Sequence, residues 1–307
     1  MIEEHIYKSS GTVLNYYEIK NGKQPLVLIH AQGVDSTSFD NVWTRLADKY
    51  HVYAVDCYGH GKSLHDPEKY NIKDIGGAII GFVEEVVKEK FYLLGHSSGG
   101  LIAAYIASQT YLCDCLILED PPFFASQGER RKSTFNYVDL STVCHNFANQ
   151  SEVGDFVLYY FANQYAWNFF PEKSREKLKG KLTDMAAKYR RKHPQKNLKV
   201  MFWPKNALSS FKGMNNYDPA FGRAFYDDSF HGGIPHEDIL KKIKCRTVFM
   251  KAKTDHSEDG ILFAALNEDD LERLTKLVDN VRVVRFDCGH GIHIEKPKEF
   301  VDCLLNL

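Results

Sequence analysis

Ser97 lies in Gly95-His96-Ser97-Ser98-Gly99, a G-x-S-x-G run between the apolar stretch Phe91-Tyr92-Leu93-Leu94 and the helix-forming stretch Gly100-Leu101-Ile102-Ala103-Ala104-Tyr105. In that strand-turn-helix context a serine is held in a strained turn and its hydroxyl is lifted out at a helix N-terminus, where backbone N–H groups face developing negative charge. The flanking glycines are required because a Cβ at Gly95 or Gly99 would collide with the neighbouring strand and helix. A serine nucleophile needs a base, and His290 follows the last strand-like run on the Gly-flanked loop Gly289-His290-Gly291. Imidazole suits that role at neutral pH. An acid must then fix the imidazole tautomer, and two strand-end aspartates qualify: Asp120 in Leu118-Glu119-Asp120-Pro121-Pro122 and Asp255 in Lys251-Ala252-Lys253-Thr254-Asp255.

Positioning these groups requires a sheet. Six short, mostly apolar runs, Leu26 to His30, Val52 to Asp56, Phe91 to Leu94, Cys115 to Glu119, Thr247 to Met250 and Val281 to Phe286, read as strands buried on both faces. Helical patterns separate most of them, around Val42 to Lys49, Ile72 to Lys88, Leu101 to Gln109, Asp269 to Leu277 and Pro297 to Leu305. The alternation predicts an α/β fold with a mostly parallel central sheet, and His5 to Ile19, broken at Ser9-Ser10-Gly11, predicts an edge hairpin. Residues 121–244 interrupt the rhythm with helical patterns and loops, so the chain divides into a core of 1–120 and 245–307 and an inserted helical domain of 121–244. Aromatics crowd there, in Phe156 to Phe161, Tyr165 to Phe170 and Met201-Phe202-Trp203-Pro204. They suit either an apolar lid over a ligand pocket or that segment's own core. Trp167, Tyr165 and Phe123 are the candidate substrate contacts.

Three further motifs occur in order: His30-Ala31-Gln32-Gly33, Asp56-Cys57-Tyr58-Gly59-His60-Gly61-Lys62-Ser63, and Cys288-Gly289-His290-Gly291-Ile292-His293-Ile294-Glu295-Lys296-Pro297. With the serine turn they resemble the α/β-hydrolase superfamily, specifically its serine-nucleophile branch with a helical cap. Ala31 stands where that superfamily usually has glycine. The resemblance implies an oxyanion hole made by the backbone N–H groups of Gln32 and Ser98. It also places the acid at Asp255 in most members and at Asp120 in a minority. The Leu-Glu-Asp-Pro-Pro run and the lengthened segment from Asp255 to His290 favour Asp120, with Asp255 the alternative. Glu119 is expected to face the other side of the strand. His293 reads as structural or as a pocket residue, His96 as packing under the turn, and His30 and His60 as partners that pin loops.

The remaining composition restricts other readings. The chain has 307 residues, 39 basic and 40 acidic side chains and a net charge of −1, which gives no overall field for nucleic acid or an anionic membrane. The basic stretch from Lys173 to His193 carries Glu172, Glu176 and Asp184 among its cations and reads as a solvated helix face. Seven scattered cysteines without a C-x-x-C pair argue against a disulfide framework or a thiolate zinc site. No H-E-x-x-H occurs, so no metal or other cofactor is expected. Without a secretory leader or a long apolar run, the expected compartment is the cytoplasm. The expected activity is serine-hydrolase cleavage of a small apolar or aromatic ester, lactone or related carbonyl compound through an acyl-enzyme on Ser97. Carbon-carbon bond hydrolysis on the same triad, and a ligand-binding receptor role with little turnover, are the alternatives. The expected partner is a small-molecule substrate.

Overall fold

The computed structural model describes residues 1–150, 154–201, 203 and 208–307. Phe202 and Pro204 of the aromatic run named above lie outside the described residues. Eight strands form one sheet: β1 (Glu3–Ser9), β2 (Thr12–Ile19), β3 (Gln24–Ile29), β4 (Tyr50–Val55), β5 (Phe91–His96), β6 (Cys113–Glu119), β7 (Arg246–Lys251) and β8 (Val281–Arg285). Their spatial order is β1-β2-β4-β3-β5-β6-β7-β8. The β1–β2 hairpin is antiparallel and β2 joins β4 antiparallel, while every pairing from β4 to β8 is parallel. This is the α/β-hydrolase fold.

The near-continuous apolar strands follow from burial on both faces. Val27, Ile29, Tyr53, Val55, Leu93, Leu116, Leu118 and Phe249 belong to one core layer. Their neighbours in sequence, Leu26, Leu28, Val52, Ala54, Leu94, Ile117, Val248 and Met250, belong to the layer on the opposite face. Period-two alternation therefore feeds two cores rather than a core and solvent. The helices Ile72–Phe82 and Ser98–Gln109 cover the first face, and Pro297–Leu305 covers the second. The first of these helices starts where the Asn71 side chain accepts hydrogen bonds from the Lys73 and Asp74 N–H groups. The helix expected over Val42 to Lys49 is shorter, Trp43–Leu46, because Tyr50 must already be extended to pair in β4.

Between β6 and β7 the described residues form helices and turns and no strand of the sheet, including Thr142–Asn149, Phe156–Asn163, Glu172–Lys192 and Pro219–Tyr226. Their apolar side chains join the first core layer. In the helix Glu172–Lys192 most cations face solvent, whereas Arg190 turns inward and donates to Asp155 Oδ2 at 2.8 Å.

Candidate active site

The turn after β5 is built as the motif requires. Ser97 has φ +55° and ψ −120°, a conformation L residues rarely adopt, and it leads directly into the helix Ser98–Gln109. A Cβ on Gly95 would lie 2.2 Å from the Gly99 carbonyl oxygen, and one on Gly99 would lie 2.4 Å from the His30 carbonyl oxygen. Neither backbone can move aside without opening the junction of β3, β5 and the helix. The Ser97 N–H is fixed to the Glu119 carbonyl oxygen at 2.9 Å, so the end of β6 also holds the turn.

That end of β6 supplies two carboxylates with different tasks. Asp120, with no exposed surface and φ +45°, accepts a hydrogen bond from His290 Nδ1 at 2.8 Å. Its second oxygen accepts from the Ala252 N–H at 3.2 Å and lies 3.9 Å from the buried Lys251 ammonium. Burial draws the Lys251 ammonium below its usual pKa, and the Asp120 charge opposes that effect. Glu119 points to the other face, where one oxygen accepts from the His293 N–H at 2.9 Å and both accept from His293 Nδ1, at 2.8 and 3.0 Å. Burial raises the Glu119 pKa, yet the His293 and His96 imidazoles and the hydrogen bonds from His293 outweigh it and hold the carboxyl at about 2. Asp255, the alternative acid, is exposed, and its carboxylate accepts from the N–H of His256 at 2.9 Å.

His96 connects the nucleophile turn to the base loop. Its Nε2 donates to the His290 carbonyl oxygen at 3.1 Å, and the two rings lie 4.8 Å apart. Burial lowers its pKa to about 3, so the ring is neutral. His290 itself keeps 38% of its side-chain surface and Ser97 is half-buried, so both are reachable while their supports are not. Among the described residues no hydrogen bond joins Ser97 to His290, as is common before substrate binds.

The His30–Gly33 loop is pinned as expected. His30 Nδ1 donates to the Ala31 carbonyl oxygen at 2.8 Å and Nε2 accepts from the Cys57 N–H at 2.9 Å. His60 Nε2 accepts from the Gly33 N–H at 3.2 Å. Alanine is tolerated at residue 31 because the positive φ of the loop falls on Gly33, at +81°. The Gln32 side chain donates to the Tyr217 hydroxyl at 3.2 Å, and Tyr217 comes from the inserted segment. In the loop after β4, Asp56 accepts from the Ser36 N–H at 2.9 Å, and a Cβ on Gly61 would fall 2.0 Å from its carboxylate.

The candidate substrate contacts lie apart from one another. Trp167 is packed among Phe161, Phe170 and Trp203, with its indole N–H donating to the Phe161 carbonyl oxygen at 2.7 Å, which places it in the interior of the inserted segment. Phe123 is fully buried against Phe124 and His236. Tyr165 is half-buried in a cluster with Phe135, Phe169 and Phe263, of which Phe169 is exposed. Glu119 faces the side of the strand opposite Asp120 as expected; sequence reasoning missed its pairing with His293 and the place of Lys251 beside Asp120. The available signal was a charged residue at the end of each otherwise apolar strand, which burial obliges to find a partner.

Among the described residues His96, Glu119 and His293 are the one group whose donor atoms gather closely enough to suggest a metal, all within 4.8 Å of one another. Within it both Glu119 oxygens already accept from His293, and His96 Nε2 donates to the His290 carbonyl oxygen. The group is a hydrogen-bonded support.

A sequence model of the Alpha/beta hydrolase family matches residues 26–303. The chain belongs to this family. Among curated relatives, the pimeloyl-[acyl-carrier protein] methyl ester esterase of Vibrio cholerae is 27% identical over 122 residues, covering 39% of this chain and 46% of the relative. The chain spans less than half the length of the first curated relatives it matches. Among solved structures, the thioesterase domain from the curacin biosynthetic pathway covers 100% of both chains with a TM-score of 0.65 and 19% identity. The enol-lactonase from Burkholderia xenovorans LB400 covers 98% of both with a TM-score of 0.68 and 16% identity. These two likenesses are of fold.

Proposed function

We propose that this member of the family is a serine hydrolase that cleaves a small apolar or aromatic ester, lactone or thioester through an acyl-enzyme on Ser97. The observation that carries the reading is the pairing of Asp120 with His290 Nδ1, on a loop that His96 ties to the Ser97 turn. With Nδ1 donating to the carboxylate, Nε2 is the free base. It takes the Ser97 proton as Oγ attacks the carbonyl carbon, and the N–H groups of Gln32 and Ser98 receive the oxyanion. His290 then protonates the departing alcohol or thiol. Water repeats the sequence on the acyl-enzyme and restores Ser97. Asp120 keeps its charge throughout and stabilises the imidazolium.

Residues 121–244 act in this reading as a cap. The contact of its Tyr217 with Gln32 supports a substrate passing beside the oxyanion loop. Seven free thiols fit a reducing compartment such as the cytoplasm. The test is a panel of aryl esters, thioesters and lactones, with a fluorophosphonate probe of the nucleophile. Sustained turnover with labelling at Ser97 is expected. Turnover that persists in Ser97→Ala would remove the proposal.

A further inference from the structure

At the opposite end of the sheet from the serine, two cysteines meet. Cys113 begins β6, Cys245 immediately precedes β7, and their sulfur atoms are 3.9 Å apart. The two strands are parallel neighbours, with Cys115 opposite Arg246, so the backbones run side by side at the point where the thiols meet. Adjacent strands lie about 4.7–4.9 Å apart, within the Cα separation that a disulfide spans. Cys113 is buried, while Cys245 is half-buried and opens on a surface groove that Lys242, Lys244, Arg246 and Asp114 also line.

We propose that Cys113 and Cys245 form an oxidant-sensitive thiol pair that peroxide converts to an intramolecular disulfide. The Cys245 thiolate attacks one peroxide oxygen, the O–O bond breaks, and the products are a Cys245 sulfenic acid and water. The Cys113 sulfur then displaces the sulfenic oxygen, which leaves as a second water, and the S–S bond forms. Two thiols lose two electrons, and the peroxide gains them.

The electrostatics support the same order of events. The contact between the two thiols lowers the pKa of Cys245 against the effect of burial, while Cys113 is raised by that same contact and by burial. The Asp114 carboxylate on the same groove opposes the thiolate without overturning that direction. Cys115, two residues from Cys113, is a poorer partner because an irregular register at Phe91 and Tyr92 turns it into the other core layer. The bond would close a loop of 132 residues that contains the whole inserted segment.

The experiment treats the full-length native protein with hydrogen peroxide, quenches it, alkylates it under denaturing conditions and maps the peptides by mass. The expected result is a Cys113–Cys245 bond that dithiothreitol removes and that Cys245→Ser and Cys113→Ala each abolish. In Cys113→Ala a dimedone-reactive sulfenic acid should remain at Cys245. An unchanged thiol count, a bond to Cys115, a bond between two chains, or a cross-link that survives in Cys245→Ser would overturn the assignment. Because none of these residues belongs to the serine site, ester turnover is read separately and neither result depends on the other.

Discussion

Asp120 and His290 are 170 residues apart in the chain and 2.8 Å apart in space, with the carboxylate at the end of β6 and the imidazole on the loop after β8. Their contact fixes which ring nitrogen is free, and so assigns both the acid and the base of the proposed reaction. Asp120→Asn should lower kcat by roughly 10³–10⁴, by analogy with the loss of the orienting acid in other triads. Asp255→Asn, at an exposed carboxylate that touches the adjacent N–H, should stay within about threefold, as surface substitutions remote from the chemistry usually do. Steady-state kinetics on one aryl ester compares them, and a larger loss in Asp255→Asn would reverse the assignment.

Ser97→Ala should abolish fluorophosphonate labelling and reduce turnover by at least about 10³, while any residual rate reflects the oxyanion donors alone. Intact-protein mass measures the first effect and the rate of ester cleavage the second. The melting temperature should hold or rise, because an alanine is no more strained at φ +55° than the serine it replaces and leaves the glycine-lined turn unaltered.

Glu119 makes acid stability measurable. Its folded pKa of about 2 lies below the ordinary value of 4.5, so its contribution is fully present above pH 4.5 and disappears as pH falls toward 2. That contribution is about 2–4 kcal/mol, one pKa unit being worth about 1.4 kcal/mol. Glu119→Gln should flatten the acid limb of a denaturation series and lower stability at pH 7, since the His293 N–H and Nδ1 then lose a charged acceptor. An acid limb that is the same in both proteins would show that other carboxylates dominate it.

Asp139 should act with the opposite sign. It is buried in the inserted segment, accepts from the Tyr160 hydroxyl at 2.6 Å, and burial lifts its pKa to about 6, above 3.8, even though hydrogen bonds from Tyr160 and the Tyr165 N–H pull it down. The folded state therefore holds a proton that the unfolded state has lost, and stability falls as pH rises from about 4 to 6. Asp139→Asn removes the charge, keeps one oxygen to accept from the Tyr165 N–H and turns its NH2 to donate to the Tyr160 hydroxyl. It should raise stability at pH 7 by about 1–3 kcal/mol and remove that slope, as read by chemical denaturation at several pH values.

The core strands and the serine turn were legible because each rests on local pattern: apolar runs for β3 to β8, glycine spacing around Ser97. Which carboxylate meets His290 was not local. Asp120 directly follows β6 and Asp255 lies in the loop after β7, and their surroundings separate them, a buried Lys251 and an Ala252 N–H for one and solvent for the other. The pairing of Glu119 with His293 spans 174 residues and has no sequence periodicity to announce it. Trp167 shows the converse difficulty. An aromatic residue in an insertion looks the same in sequence whether it faces a ligand or, as here, its own neighbours Phe161 and Trp203.

The two carboxylates that close β6 emerge from the ribosome long before the histidines that answer them. At synthesis rates of 5–20 residues per second the interval is about 10–30 s. Through it Glu119 and Asp120 must stay hydrated, and the end of β6 cannot close over them. His290, the His293 partner of Glu119 and the docking of the last helix thus arrive together. A nascent chain of this protein gains the partner of Asp120, its acid stability and its sealed sheet end in one late step of synthesis.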